Sequence, residues 1–307
     1  MGDRTPSKIV TEAEAASGAS GHAAGIVIIT RNRFEDLKTV FARLQLDAYL
    51  KGLPVLVYDD ASDSAPEDYW HFLEASCVKV LRATDRYGYI YARNEANRQA
   101  PFDLIFSLDD DSCLIDAGGA RNAVRYLENN PSVAVLSFPV IETHQMSHAP
   151  AMPAGPCASF IGCGHLIRRE VFLKLGGYRV DFVHQVEELE LAMRIYQAGY
   201  EIRHFPECPV EHWSSDASRD WRRMGYYGPR NQVFMHFLHT PAVLLPFELL
   251  RLLCKYGKLS FRTGLPGCHF RGWIDGIGTG IKNRRERKAM GFRKYLEFRN
   301  LQRRSPQ

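Results

Sequence analysis

From residue 25 onward, short apolar runs alternate with stretches of helical period. Gly25-Ile26-Val27-Ile28-Ile29-Thr30 reads as a buried strand, and Leu37, Val40, Phe41 and Leu44 after it recur at helical spacing. Pro54-Val55-Leu56-Val57-Tyr58 predicts a second strand, closed by Asp59-Asp60-Ala61-Ser62-Asp63. Cys77 to Leu81 and Asp103 to Leu108 predict a third and a fourth, with a helix-compatible stretch Tyr91–Gln99 between them. Farther on, Phe160–Ile167 reads as a strand interrupted by Gly162 and Gly164, residues 187–199 as a helix closed by Gly199, and Glu201–Phe205 as another strand. Strand and helix in alternation predict an α/β fold, a mostly parallel sheet covered by helices on both faces. Ligands of such sheets sit beyond the carboxyl ends of the strands, where Thr30, Asp59 and Asp109 all fall.

The run Leu104 to Ser112 ends in three consecutive carboxylates, Asp109-Asp110-Asp111. Adjacent anions repel, so their placement at the end of a buried strand points to a bound hard cation. The alternative is an acidic turn, because Asp and Ser bond their own backbone in turns. An EF-hand loop is excluded, since Leu114 stands where it needs Gly and Ala120 where it needs Glu.

Composition changes the picture mainly at the C-terminal end. With 45% hydrophobic and 24% charged residues among 307, the chain is an ordinary globular protein with enough length for a sizeable core. The net charge of +4 hides an asymmetry: from Arg251 onward 15 Lys/Arg face only Asp275, Glu286 and Glu297, a net +12 that leaves −8 for residues 1–250. Leu244, Leu245, Leu249, Leu250, Leu252 and Leu253 with Arg251, Lys255 and Lys258 predict an amphipathic helix, docked on the rest of the protein or lying on an anionic membrane face. The basic run Lys282–Lys288 adds to that charge, and no nucleic-acid motif accompanies it, so no nucleic-acid partner is expected. Gln232–Phe247 has no charged residue, yet it falls short of the roughly 20 apolar residues of a spanning helix. The seven cysteines form no CxxC pair and fit a reducing compartment. Residues 1–23 lack the apolar core of a signal peptide and are expected to be a disordered tail. His144–Cys157, rich in Pro, Met and His, reads as a long connection or an ordering lid.

The segments IVIITRNRFEDL, VLVYDDASD, ARNEANRQA and FSLDDDS, in this order and spacing, resemble the family 2 glycosyltransferases of GT-A fold. The resemblance continues through Phe160–His165 with Leu175-Gly176-Gly177-Tyr178, and through Glu187–Arg194 with Ala198-Gly199-Tyr200, covering roughly residues 24–235. It implies a Rossmann-like GT-A domain over 24–240, with 241–307 as a basic, amphipathic helical extension. It also implies an inverting glycosyltransferase that uses a nucleotide-diphospho-sugar, Mn2+ or Mg2+, and a glycan or lipid-linked acceptor. The cysteines and the basic C-terminal end fit a cytoplasmic protein, either free or peripheral on the cytoplasmic membrane face.

Residue by residue, the resemblance implies metal binding by Asp109 and Asp111 with His212, and Asp110 near the sugar or ribose. Asp59 would accept a bond from the nucleotide base, Thr30 would lie against the nucleotide, and Arg93 would face the donor. Gly162, Cys163 and Gly164 would wall the donor sugar; a simple bulge is the plainer reading. Glu188 stands where the family carries its general base, here in a Glu-Glu pair, with Glu187 as substitute. Glu190 is explained by an i,i+4 pair with Arg194. Two rival readings are nucleotidyl transfer onto sugar phosphates, which usually needs a glycine-rich loop where this chain has Thr30-Arg31-Asn32-Arg33, and a degenerate sugar- or membrane-binding module.

Overall fold

The structure, a computed structural model, describes residues 22–63, 66–143, 152–213 and 220–304. Most of the expected tail, residues 1–21, lies outside these, as does the 144–151 part of the long connection. Two compact units emerge among the described residues: those of 22–156, 160–178 and 201–213 form the first, and those of 157–159, 179–200 and 220–304 the second.

The first unit is the sheet. Its elements in order are β1 (His22–Thr30), α1 (Phe34–Leu44), α2 (Ala48–Gly52), β2 (Val55–Asp59), α3 (Glu67–Ser76), β3 (Lys79–Arg82), α4 (Tyr89–Gln99), β4 (Phe102–Asp109) and β5 (Ser112–Leu114). Then follow α5 (Ala117–Asn129), β6 (Val133–Ser137), β7 (Val140–Glu142), β8 (Gly155–Pro156), β9 (His165–Arg168) and α6 (Arg169–Lys174). The helix α7 (Glu187–Gln197) belongs to the second unit, and β10 (Glu201–His204) and β11 (Val210–His212) return to the first.

Eight strands run in the order β3-β2-β1-β4-β9-β6-β10-β8. The pairs β1/β2, β1/β4, β2/β3 and β6/β10 are parallel, whereas β9 runs antiparallel to both β4 and β6. Consecutive strand side chains point to opposite faces. Ile26 and Ile28 of β1 join the core built with Leu37, Val40 and Phe41 of α1, Leu73 of α3 and Ala123 of α5. Val27 and Ile29 are buried as well, on the face that α4 covers. Helices thus cover both faces, as the near-continuous apolar strands require. The register pairs Thr30 with Asp59 and Ile29 with Asp109, so the three expected strand ends share one edge. A separate three-stranded sheet, β5-β11-β7, sets His212 opposite Ser112 on one side and Glu142 on the other.

One expected strand is shorter than its apolar pattern. Residues 161–164 form a tight turn closed by Gly164 N–H donating to Ile161 O at 3.1 Å, and the strand begins only at His165. A Cβ on Gly164 would lie 2.6 Å from Cγ2 of Val140, so this glycine answers to close packing against a neighbouring strand.

The second unit is helical. Besides α7 it contains α8 (Trp221–His239), α9 (Leu245–Thr263), α10 (Pro266–Lys282) and α11 (Phe292–Arg304). Gly272 and Gly276 of α10 let its backbone lie against α8: a Cβ on them would come within 2.2 Å of Tyr226 O and 2.6 Å of Arg230 O. The amphipathic helix expected from Leu244 is α9, whose Leu252 and Tyr256 pack with Val233 of α8, while Phe247, Leu250 and Phe261 are exposed. No described helix is long and apolar enough to cross a membrane.

Candidate active site

At the end of β4 the chain turns sharply, and Ser112 Oγ fixes the turn by accepting from Asp109 N–H at 2.8 Å. Each of the three carboxylates in that turn meets a cation. Asp109 pairs with the Arg93 guanidinium, which α4 carries in a buried position. Arg33, just ahead of α1, bonds both Asp110, at 3.1 Å, and Asp111. His212 completes the set, with Nε2 3.1 Å from Asp111 Oδ1 and Nδ1 2.9 Å from Glu142 Oε1.

These environments drive Asp110 and Asp111 apart electrostatically. Burial pushes Asp110 up to about 7 against the pull of Arg33, with repulsion from Asp111 and Asp109 adding to the rise. Burial works against Asp111 too, yet bonds from His212 and Arg33 hold its carboxyl below the ordinary value. His212 is partly desolvated, but Asp111 and Glu142 raise it to about 9, so the imidazolium form spans the two carboxylates.

Such a cluster answers the demand of crowded anions for positive charge, which a divalent ion also meets. Oxygen and nitrogen ligands at about 2.1 Å on neighbouring octahedral positions lie about 3 Å apart, and the Asp111–His212 contact of 3.1 Å has that spacing. Asp109, Cys163 and His212 also bring ligand atoms within 4.8 Å of one another. Burial, with Asp109 close by, pushes the Cys163 thiol well up, which favours the carboxylates and the imidazole as ligands over a thiolate. Glu142 behind His212 has the arrangement that fixes the tautomer of a metal-bound histidine. The residues therefore fit a hard or borderline divalent cation.

Around this centre, Thr30 and Asp59 are buried at the ends of β1 and β2. Asp59 accepts from Ser62 N–H at 2.8 Å and Ser62 Oγ–H at 2.6 Å, while burial raises its carboxyl in spite of those bonds. Asp60 accepts from Tyr87 N–H and Gly88 N–H, both at 2.8 Å, and so anchors the loop that launches α4. Gly162 offers its carbonyl to Ser107 Oγ–H at 2.7 Å, holding the 161–164 turn against β4 next to the acids.

In the second unit, Glu187, Glu188 and Glu190 open α7. Glu190 is fully buried between Arg194, which bonds both of its oxygens at 2.6–2.9 Å, and His239 Nε2 at 2.8 Å. Burial opposes ionisation, but Arg194 and His239 hold the Glu190 carboxyl down at about 2. Glu187 is buried and Glu188 partly exposed. The loop before them carries three non-glycine residues at positive φ, Val183 at 63°, Gln185 at 67° and Val186 at 73°, a conformation costly for β-branched valine. Asn231 of α8 holds it, donating through Nδ2 to the carbonyls of Phe182, His184 and Gln185 at 2.6–2.9 Å.

Comparison with known sequences places this architecture. Residues 25–176 match the profile of glycosyl transferase family 2. The chain belongs to glycosyl transferase family 2 through that stretch. Pre-mycofactocin glycosyltransferase of Mycobacterium tuberculosis is 25% identical over 232 residues, covering 69% of this chain and 47% of that protein. The chain thus spans about half the length of the curated relatives it matches. Solved structures share the fold. GalNAc-T7 with UDP, GalNAc and Mn2+ aligns with a TM-score of 0.61 at 16% identity, over 86% of this chain and 57% of that one. The Pyrobaculum calidifontis mannosyltransferase PcManGT with GDP-Man and Mn2+ aligns at 0.53 and 17%, over 87% and 88%. S. aureus TarS with UDP-GlcNAc aligns at 0.56 and 14%, over 84% and 80%. They support the GT-A architecture expected for a family 2 member.

The family 2 match contains Thr30, Asp59, Arg93, the three Asp residues and the glycine turn, and ends before α7 and His212. The structure places His212 against Asp111 and groups it with Asp109 and Cys163, and it adds residues without a motif signal. Arg33 lies inside the segment IVIITRNRFEDL, where spacing alone gives it no role, and Cys163 reaches the acids as well as the expected sugar wall. Glu142 and Asn231 carried no local signal.

Proposed function

We propose that this chain is an inverting glycosyltransferase that moves a sugar from a nucleotide-diphospho-sugar to a hydroxyl of a glycan or lipid-linked acceptor. The observation that carries the reading is the meeting of Asp109, Asp111 and His212 at one edge of the sheet with Thr30 and Asp59. Fold relatives with UDP, GDP-Man and UDP-GlcNAc support the donor class. In this reading Asp59 accepts from the nucleotide base, Thr30 lies against the nucleotide, and Asp110 and Arg93 face the donor sugar and its diphosphate. The Gly162-Cys163-Gly164 turn forms the wall beside that sugar.

A divalent cation held by Asp109, Asp111 and His212 would supply Lewis-acid stabilisation of the charge on the leaving diphosphate. The imidazole in the donor set favours Mn2+ over Mg2+, which prefers oxygen alone. His212 would serve it through a neutral ring whose Nδ1–H donates to Glu142. Glu188, or failing it Glu187, accepts the proton of the acceptor hydroxyl as its oxygen attacks the anomeric carbon opposite the departing group, and this single displacement inverts the centre. Exposed Phe247, Leu250 and Phe261, with Arg251, Lys258 and Arg262 on the same helix, support a peripheral seat on an anionic cytoplasmic membrane face.

Calorimetry with UDP and GDP, with and without Mn2+, tests the donor reading. One nucleoside diphosphate is expected to bind at least about tenfold more tightly with Mn2+, a gain of about 1.4 kcal/mol. No nucleotide binding in the presence of Mn2+ would overturn it, and pyrophosphate release from a nucleoside triphosphate and a sugar phosphate would mark nucleotidyl transfer instead.

A further inference from the structure

The helical unit contains a cavity of about 490 Å³, within the range of small-molecule sites. Its wall is mainly apolar, with Trp221 and Met224 of α8, Tyr256 and Leu259 of α9 and Leu265 ahead of α10. Two glycines open the space. A Cβ on Gly228 would already be 3.3 Å from Gln185 Oε1 and 3.6 Å from the Tyr256 hydroxyl, and Gly225 lines the same wall. Several polar groups at its edge are paired: Ser260 Oγ lies 2.9 Å from His269 Nδ1, and Lys255 Nζ donates to Gln232 Oε1 at 3.3 Å.

The position of the cavity matters as much as its lining. Gln185 and Val186 form part of its wall, and the next two residues are Glu187 and Glu188. The strained loop that Asn231 clamps is therefore both the rim of the cavity and the lead into the proposed base. A ligand with its body among Trp221, Met224 and Leu259 would reach toward the start of α7 with its other end. A carbohydrate body would need many hydrogen-bonding partners, whereas Gln232, Lys255, Thr263 and His269 of this wall already bond protein atoms.

We propose that this cavity holds the apolar body of the acceptor, which is an amphiphile with a hydroxyl-bearing polar head and an alkyl or aryl remainder. The assignment rests on Glu188 as the acceptor-side base. A second feature agrees with it. The helix α9 turns Tyr256 and Leu259 to the cavity and leaves Phe247, Leu250 and Phe261 exposed. The buried and exposed sets fall on opposite sides of the helix at 100° per residue. An acceptor resident at a lipid–water interface would meet both surfaces of this helix.

The test titrates the full chain with octyl β-glucoside below its micelle-forming concentration and with methyl β-glucoside. Trp221 fluorescence reports binding, with Trp221→Phe as the blank, and calorimetry follows UDP and GDP with Mn2+ in parallel. The octyl compound is expected to bind saturably and at least tenfold more tightly than the methyl one. Gly228→Leu and Thr263→Trp, which fill the cavity from its wall and from the exposed end of α9, are each expected to weaken the octyl compound about tenfold while nucleotide affinity holds. Equal affinity for the two glucosides, or octyl binding untouched by both substitutions, would overturn the inference. Absent nucleotide binding with octyl binding intact would instead remove the donor reading and leave the cavity assignment standing.

Discussion

Two acidic runs, Asp109-Asp110-Asp111 in the sheet unit and Glu187-Glu188-Leu189-Glu190 in the helical unit, have nearly the same charge and different fates. At the strand end no helical repeat sorts the side chains, and three carboxylates crowd one turn where Arg93 meets Asp109, Arg33 meets Asp110 and Asp111, and His212 meets Asp111. On α7 the 100° step per residue sorts them. Glu190 turns fully inward to Arg194 and His239, Glu187 is buried, and Glu188 keeps partial access to solvent. Charge density is thus left concentrated in one run and divided in the other. The first arrangement suits binding a cation, and the second leaves Glu188 partly exposed for the proposed proton transfer while Glu190 serves stability.

Substitutions that swap charge for amide at these positions sharpen the contrast. The largest effect is expected at Glu188: Glu188→Gln should lower turnover about 10³-fold, in the range of a lost general base, while nucleotide affinity and melting temperature hold. An unchanged rate would move the base to Glu187.

Glu190→Gln is expected to act on stability, costing about 3 kcal/mol because Arg194 and His239 lose the charge they enclose, as chemical denaturation would show. The pH dependence carries the same signature. Glu190 titrates near 2 in the folded chain against 4.5 as its ordinary value, so its contribution is present above about pH 4.5 and lost as pH falls through about 2. The acid slope of melting temperature in that window should flatten in Glu190→Gln. Burial pushes His236 down to about 3 from 6.5, so a separate loss sets in as pH falls below 6.5 in both proteins.

The smallest effect is expected behind the proposed metal ligands, where Glu142→Gln should weaken Mn2+ about 10- to 100-fold by loosening the orientation of His212. An isotherm identical to that of the unaltered chain would show that His212 is oriented without it.

Much of this contrast was legible in the chain. Continuous apolar runs gave the parallel strands, and their ends gave Thr30, Asp59 and Asp109, because strand register follows from pleat and burial. The Glu190–Arg194 pair followed from helical spacing alone. What escaped depended on tertiary closure. β7 and β11 are three residues each, too short for a period to show, so the approach of Glu142 to His212 had no local signature. α5 begins Ala-Gly-Gly, which lowers helix propensity, and Gly119 is explained only by Glu207 O, which a Cβ there would meet at 1.7 Å. The 160–164 segment has the apolar content of a strand, but residues 161–164 close as a turn through Gly164 N–H and Ile161 O, and the glycine is explained only by the close approach of Val140 from another strand. Asn231, mid-helix and without a motif around it, clamps a loop nearly fifty residues away.

The central claim is that Asp111 and His212, with Asp109, hold a divalent cation. Its most direct test is a Mn2+ titration followed by electron paramagnetic resonance, in the presence of the nucleoside diphosphate that binds best, on the unaltered chain, Asp111→Asn and His212→Gln. One Mn2+ per chain is expected, weakened more than about 100-fold in each variant, the loss of a direct ligand exceeding that of an outer partner. Equal Mn2+ affinity in all three proteins would contradict the account.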